Sequence, residues 1–106
     1  STPNFIGSKI VTCEFIEIDE QMSIKELNLE GKIAIIKRAD PGYDWLFTQD
    51  ISGLITLYGG ANSHMAIRSA EFNITASIGV GEKIYSQLLT SKIIEINPIN
   101  QTIKGL

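Results

Sequence analysis

The sequence predicts an α/β fold, and three observations carry that prediction. Short runs rich in Ile, Val, Leu and Thr recur at 9–18, 32–37, 54–58, 75–78 and 92–96, each too short for a stable helix. Segments with helical start signals or helical spacing lie between them. Glycine, proline and asparagine punctuate the joints. The order of elements is then β-α-β-α-β-α-β-α-β-β. It implies a mainly parallel sheet with an antiparallel portion.

Residues 4–7 read as an opening loop. The first strand, 9–18, places Ile10, Thr12, Glu14, Ile16 and Ile18 on one side and Val11, Cys13, Phe15 and Glu17 on the other. Apolar groups on both sides predict a strand buried on both faces for part of its length. Glu14, Glu17, Asp19 and Glu20 read as a solvated face rather than a metal or acid–base cluster. Ser23-Ile24-Lys25-Glu26 fits a capping box and opens a short helix that ends near Leu29 and Gly31. The apolar run in 32–37 predicts a central, parallel strand.

Pro41 and Gly42 make a turn, and 43–47 reads as a short helix. Its Trp45, Leu46 and Phe47 are expected to pack on the sheet rather than to stack on bases. Arg38 and Asp40 lie at a strand end, where open α/β sheets tend to bind ligands, and are rim candidates. Beyond the strand 54–58, a helix runs to about Phe72 and is stopped by Asn73 in the left-handed conformation. A strand at 75–78, a glycine turn at 79–81 and a helix at 82–89 come next. The apolar set of that helix is Ile84, Leu88 and Leu89. The strand 92–96, a turn at 98–101 and a hairpin partner at 102–104 complete the chain.

The length of 106 residues is that of one domain. With 43% apolar and 20% charged residues, a packed core is expected and global disorder is not. The net charge of −3, with no Lys/Arg cluster, argues against nucleic acid as a partner. No apolar run is long enough to span a bilayer, and no secretory leader pattern is present. The single cysteine, Cys13, excludes an internal disulfide and fits a reducing, cytoplasmic compartment. It reads as a small buried apolar residue rather than a nucleophile. One histidine and one cysteine cannot supply the usual zinc site, so no metal is expected.

The chemistry concentrates in residues 53–68. The strand at 54–58 runs into Gly59-Gly60, which lets the backbone turn where a side chain would obstruct. Asn62 or Ser63 then caps a helix through Met65, Ala66 and Ile67. His64, the only histidine, falls in the first turn of that helix. A helix N-terminus offers unpaired N–H groups and the positive end of the macrodipole, a natural place for phosphate or carboxylate. A neutral imidazole is a competent nucleophile near neutral pH. Arg68, one turn later on the same face, can neutralise part of an added charge. The combination suggests a histidine that accepts a phosphoryl group and holds it at the helix terminus.

Gly59-Gly60-Ala61-Asn62-Ser63-His64-Met65-Ala66-Ile67 resembles the phosphohistidine motif of the phosphoenolpyruvate-utilising enzymes, in their mobile, swivelling domain. That pattern is two small residues, any residue, Ser/Thr/Asn, any residue, the active histidine and a small-apolar helix. The resemblance extends to Gly53-Leu54-Ile55-Thr56 before the motif and to residues 73–81 after it. Three positions depart from the pattern. Ala70 stands where the family has an arginine, Met65 stands where it has a small residue, and Asn73-Ile74-Thr75 replaces Gly-Ile-Pro.

The resemblance implies a three-layer β/β/α swivelling domain, cut from a larger multidomain enzyme of the phosphoenolpyruvate synthase or pyruvate phosphate dikinase kind. It implies His64 as the phosphoryl-accepting residue. Gly59, Gly60, Asn62, Ser63 and Arg68 are then expected to hold the phosphate. Neighbouring domains of the same chain would bind ATP with Mg²⁺ and pyruvate or phosphoenolpyruvate. This domain alone holds no cofactor and turns over nothing. Two other readings are a family member with a different final acceptor and a non-catalytic interaction or regulatory module that kept the fold.

Overall fold

The computed structural model describes residues 2–22 and 24–106. Among the described residues, seven strands form one sheet: β1 (Asn4–Ile6), β2 (Val11–Glu17), β3 (Ile33–Ile36), β4 (Gly53–Thr56), β5 (Thr75–Ile78), β6 (Ile93–Asn97) and β7 (Thr102–Gly105). Their spatial order is β1-β5-β4-β3-β2-β6-β7. Two α-helices, α1 (His64–Glu71) and α2 (Gly81–Leu88), and two 3₁₀ helices, Ile24–Glu26 and Pro41–Thr48, complete the architecture.

The α/β class expected from the pattern is present, but the sheet is mixed rather than mainly parallel. Parallel pairing is confined to β2-β3, β3-β4 and β4-β5. The flanking pairs β1-β5, β2-β6 and β6-β7 are antiparallel. The reason lies partly at the N-terminus. Residues 4–6, expected as loop, pair with β5 and close one edge of the sheet. Three residues carry too little periodicity to announce a strand, so this one is defined by its tertiary partner.

Alternation along the central strands builds a core on each face. Ala34 and Ile36 of β3, Leu54 of β4 and Ala76 and Ile78 of β5 face α1 and the Pro41–Thr48 helix, joining Met65, Ala66 and Leu46. Ile33, Ile35 and Ile55 point the other way, toward Tyr85 and Leu88 of α2 and Ile94 and Ile96 of β6. The sheet therefore curls until β6 covers the face opposite α1. A Cβ on Gly53 would lie only 3.3 Å from the Ile96 side chain, so the glycine makes room for that layer.

Several local expectations hold. β3 is central and parallel, and Asn73 ends α1 with φ +55°. Others shift. The segment around 43–47 is a 3₁₀ helix that begins at Pro41, capped by Asp40, whose carboxylate accepts from Gly42 N–H at 2.9 Å. The capping box rests in part on Ser23, which lies outside the described residues. The helix expected after it is the single 3₁₀ turn Ile24–Glu26. In α2 the buried residues are Tyr85 and Leu88, with Ile84 and Leu89 only partly covered. Cys13 is half-buried against the second core, and burial pushes its thiol pKa up, as for a packing residue rather than a nucleophile. No helix among the described residues is long and apolar enough to cross a membrane.

Candidate functional site

The site is built at the C-terminal ends of β4 and β5. Beyond β4 the chain stays paired with β3, Leu57 N–H donating to Ile36 O and Tyr58 N–H to Lys37 O. Thr56, fully buried, then ties two loops together. Its hydroxyl donates to Tyr58 O at 2.8 Å and accepts from Gly79 N–H at 3.0 Å. Its carbonyl accepts from the N–H groups of Gly79 and Val80. The turn after β5 is thereby fastened beneath the turn after β4.

Gly59 has φ +126° and Gly79 φ +75°, a region that L side chains rarely adopt. Residue 59 is also enclosed, since a Cβ there would lie 2.7 Å from the Ala39 side chain. Gly60 faces open space, and Asn62 is exposed. Ser63, in extended geometry, is the N-cap of α1. Its hydroxyl donates to Gly60 O at 2.7 Å and accepts from Ala66 N–H at 3.4 Å, and its own N–H turns back onto Gly60 O. Of the two caps the sequence allows, Ser63 is the one used.

His64 is the first residue of α1. Met65 and Ala66, both fully buried, anchor the helix on the first core and so aim positions 64 and 68 outward together. The His64 Nε2 lies 2.6 Å from Asp44 Oδ1. An ionised carboxylate only accepts hydrogen bonds, so Nε2 carries the proton in this arrangement. Arg68 Nε points at the same oxygen from 3.7 Å, too far for a hydrogen bond. The far end of the guanidinium contacts Glu71 at 3.2 Å, and the group lies 4.8 Å over the Phe72 ring. Phe72 stacks in turn on Phe47, centroids 5.1 Å apart. Side-chain exposure of 34% at His64 and 40% at Asp44 leaves the pair within reach of an incoming group.

The structure thus brings Gly59, Gly60, Ser63, His64 and Arg68 into one constellation, with the exposed Asn62 beside them making no side-chain hydrogen bond among the described residues. Asp44 is the residue that sequence reasoning missed. It precedes the histidine by twenty positions, in a segment dominated by the aromatic residues Tyr43, Trp45 and Phe47. The rim candidates divide. Asp40 caps its 3₁₀ helix. Arg38 lines an open cavity of about 430 Å³ with Lys37, Glu17 and Tyr43. There the Tyr43 phenol pKa is raised by burial and by the carboxylates of Glu20, Asp40 and Asp19.

Comparison with known proteins agrees with this geometry at the level of the family. Residues 27–100 match the mobile domain of the PEP-utilising enzymes, a span that contains Asp44, the glycine turn, His64 and Arg68. Among curated proteins, none matches the chain. The match covers well over half of the 106 residues, and it falls on the elements that build the site. The chain belongs to the family of PEP-utilising enzymes and corresponds to their mobile domain.

Proposed function

We propose that this domain is the phosphoryl carrier of a phosphoenolpyruvate-utilising phosphotransferase, relaying the group between an ATP site and a pyruvate or phosphoenolpyruvate site. The observation that carries this reading is the placement of His64. It is the one histidine, half-exposed, at the start of an anchored helix behind a glycine turn, with Arg68 on the same face. Transfer of this kind is mostly positioning plus charge stabilisation. The ring supplies the attacking electron pair. The first N–H groups of α1 and the open backbone at Gly60 supply donors, and Ser63 shapes the approach. Asn62 is exposed beside them and is free to join the phosphate contacts.

Neighbouring domains of the same polypeptide are the proposed sites for ATP with Mg²⁺ and for pyruvate or phosphoenolpyruvate. Shuttling between them requires this domain to move as a rigid body. Isolated, it would accept and hold the group without turnover.

The test is the intact mass of the full-length protein after incubation with phosphoenolpyruvate, and separately with ATP and Mg²⁺. One acid-labile phosphoryl group, absent from His64→Ala, is expected, with the fold of the variant unchanged. A folded wild-type protein that takes no label from either donor would remove the reading.

A further inference from the structure

We propose that the Asp44 carboxylate occupies, in the resting site, the place that the phosphoryl group takes on His64 Nε2, and that the two exchange during transfer. The inference rests on the carrier reading above and adds a positioning residue.

Two donors converge on one oxygen. His64 Nε2 holds Asp44 Oδ1 at 2.6 Å, and Arg68 Nε faces it from 3.7 Å. That Arg68 nitrogen is shielded from solvent and has no hydrogen-bond partner among the described residues. A buried guanidinium N–H without an acceptor is costly. As the side chains stand, Asp44 Oδ1 bonds His64 Nε2 and stays beyond hydrogen-bond distance of Arg68 Nε. A phosphoryl group on Nε2 carries three oxygens spread around phosphorus, and one of them can meet Arg68. A phosphoryl group on Nδ1 would lie on the ring edge away from the place where Asp44 Oδ1 meets His64 Nε2 and Arg68.

Carboxylate and phosphoryl dianion repel, so they cannot share this position. Asp44 has somewhere to go. Its side chain is 40% exposed and can rotate into water. The backbone that carries it need not move with it, because Leu46 is fully buried and Phe47 is stacked on Phe72. In the transfer step the Nε2 proton passes to solvent and Nδ1 takes one from solvent, which leaves the electron pair on Nε2. That pair forms the N–P bond as the donor's P–O bond, or the P–N bond of phosphoramidate, breaks, and the bonding electrons leave on the donor oxygen or nitrogen. Asp44 meanwhile holds the unloaded ring in the orientation from which Nε2 faces Arg68.

The experiment compares the full-length wild type with Asp44→Asn and Asp44→Ala, using phosphoenolpyruvate, ATP with Mg²⁺, and phosphoramidate as donors. NMR of the loaded protein identifies the ring nitrogen bonded to phosphorus, and intact mass gives the loaded fraction at fixed donor concentration. Ring ¹⁵N shifts of the unloaded protein report the tautomer. The expected results are phosphorylation on Nε2, a loaded fraction that rises several-fold in both variants, and an Nε2–H tautomer in the wild type that is lost in Asp44→Ala. Phosphorylation on Nδ1, or a loaded fraction that is unchanged or lower in both variants, would overturn the exchange while leaving the carrier reading intact. Wild type and variants that are folded and unlabelled by all three donors would overturn both.

Discussion

Gly79 lies directly beneath Gly59, so close that a Cβ on Gly79 would collide with the Gly59 carbonyl oxygen. The turn that leads into α1 is thus supported from below by the turn after β5. Gly79→Ala is expected to lower stability by about 2–4 kcal/mol, combining an unfavourable positive φ with a clash against backbone that cannot yield cheaply. Gly31 has a similar φ of +72° with open space around it, so Gly31→Ala is the control and should cost about 1 kcal/mol. Urea unfolding of the two variants checks the difference.

Thr56 makes a second prediction. Replacing it with valine preserves shape in a fully buried position but strands Tyr58 O and leaves Gly79 N–H with the Thr56 carbonyl alone, the hydroxyl having served both. The expected loss is about 1–3 kcal/mol, against well under that for Thr56→Ser, which keeps the hydroxyl. Phosphohistidine formation should fall in the valine variant even at temperatures where it is folded, because the loop that presents His64 loses a tie.

Ser63 separates a capping role from a phosphate-binding one. Ser63→Ala should destabilise by about 1 kcal/mol through loss of the cap. Ser63→Asp keeps an N-cap acceptor and should match the wild type in melting temperature. Its negative charge next to His64 should nevertheless slow labelling by any phosphoryl donor, which a time course by intact mass would show.

Tyr85 predicts an alkaline limit to stability. Its hydroxyl donates to Glu17 Oε2 at 2.6 Å, and burial, followed by that carboxylate, raises its pKa well above the usual value. A phenol whose folded pKa is raised contributes stability that is complete below about pH 10 and is lost as pH climbs from there toward the folded value. Tyr85→Phe should therefore cost about 1 kcal/mol at neutral pH and flatten the decline above pH 10. Denaturant titrations between pH 7 and 11 measure both effects.

The features legible in the sequence are local. The strand, glycine turn, cap and helix around His64 are specified by neighbours within a few residues, and the structure places them as the pattern predicts. β5 and β6 are likewise legible from short β-branched runs. The features that escaped depend on distant pairing. β1 exists because β5 offers it an edge. The antiparallel flanks depend on where the chain returns, which periodicity does not encode. Tyr85 packs in the second core with its hydroxyl satisfied by Glu17, 68 positions away. Asp44 is hidden for the same reason, since nothing in a short helical segment between a proline and a tryptophan says which helix its side chain will face.

The 3₁₀ helix Pro41–Thr48 touches α1 at both ends, through Asp44 at His64 and through Phe47 at the C-cap residue Phe72. The first attachment is ionic and half-exposed, and the second is an aromatic stack that carries no charge of its own. A change of charge at the histidine can loosen only one of these two mounts. The helix is then held like a beam bolted at its far end, so the near end can change partners without the beam losing its alignment. Backbone amide exchange in the second half of α1 should accordingly be the same whether the histidine is loaded or free.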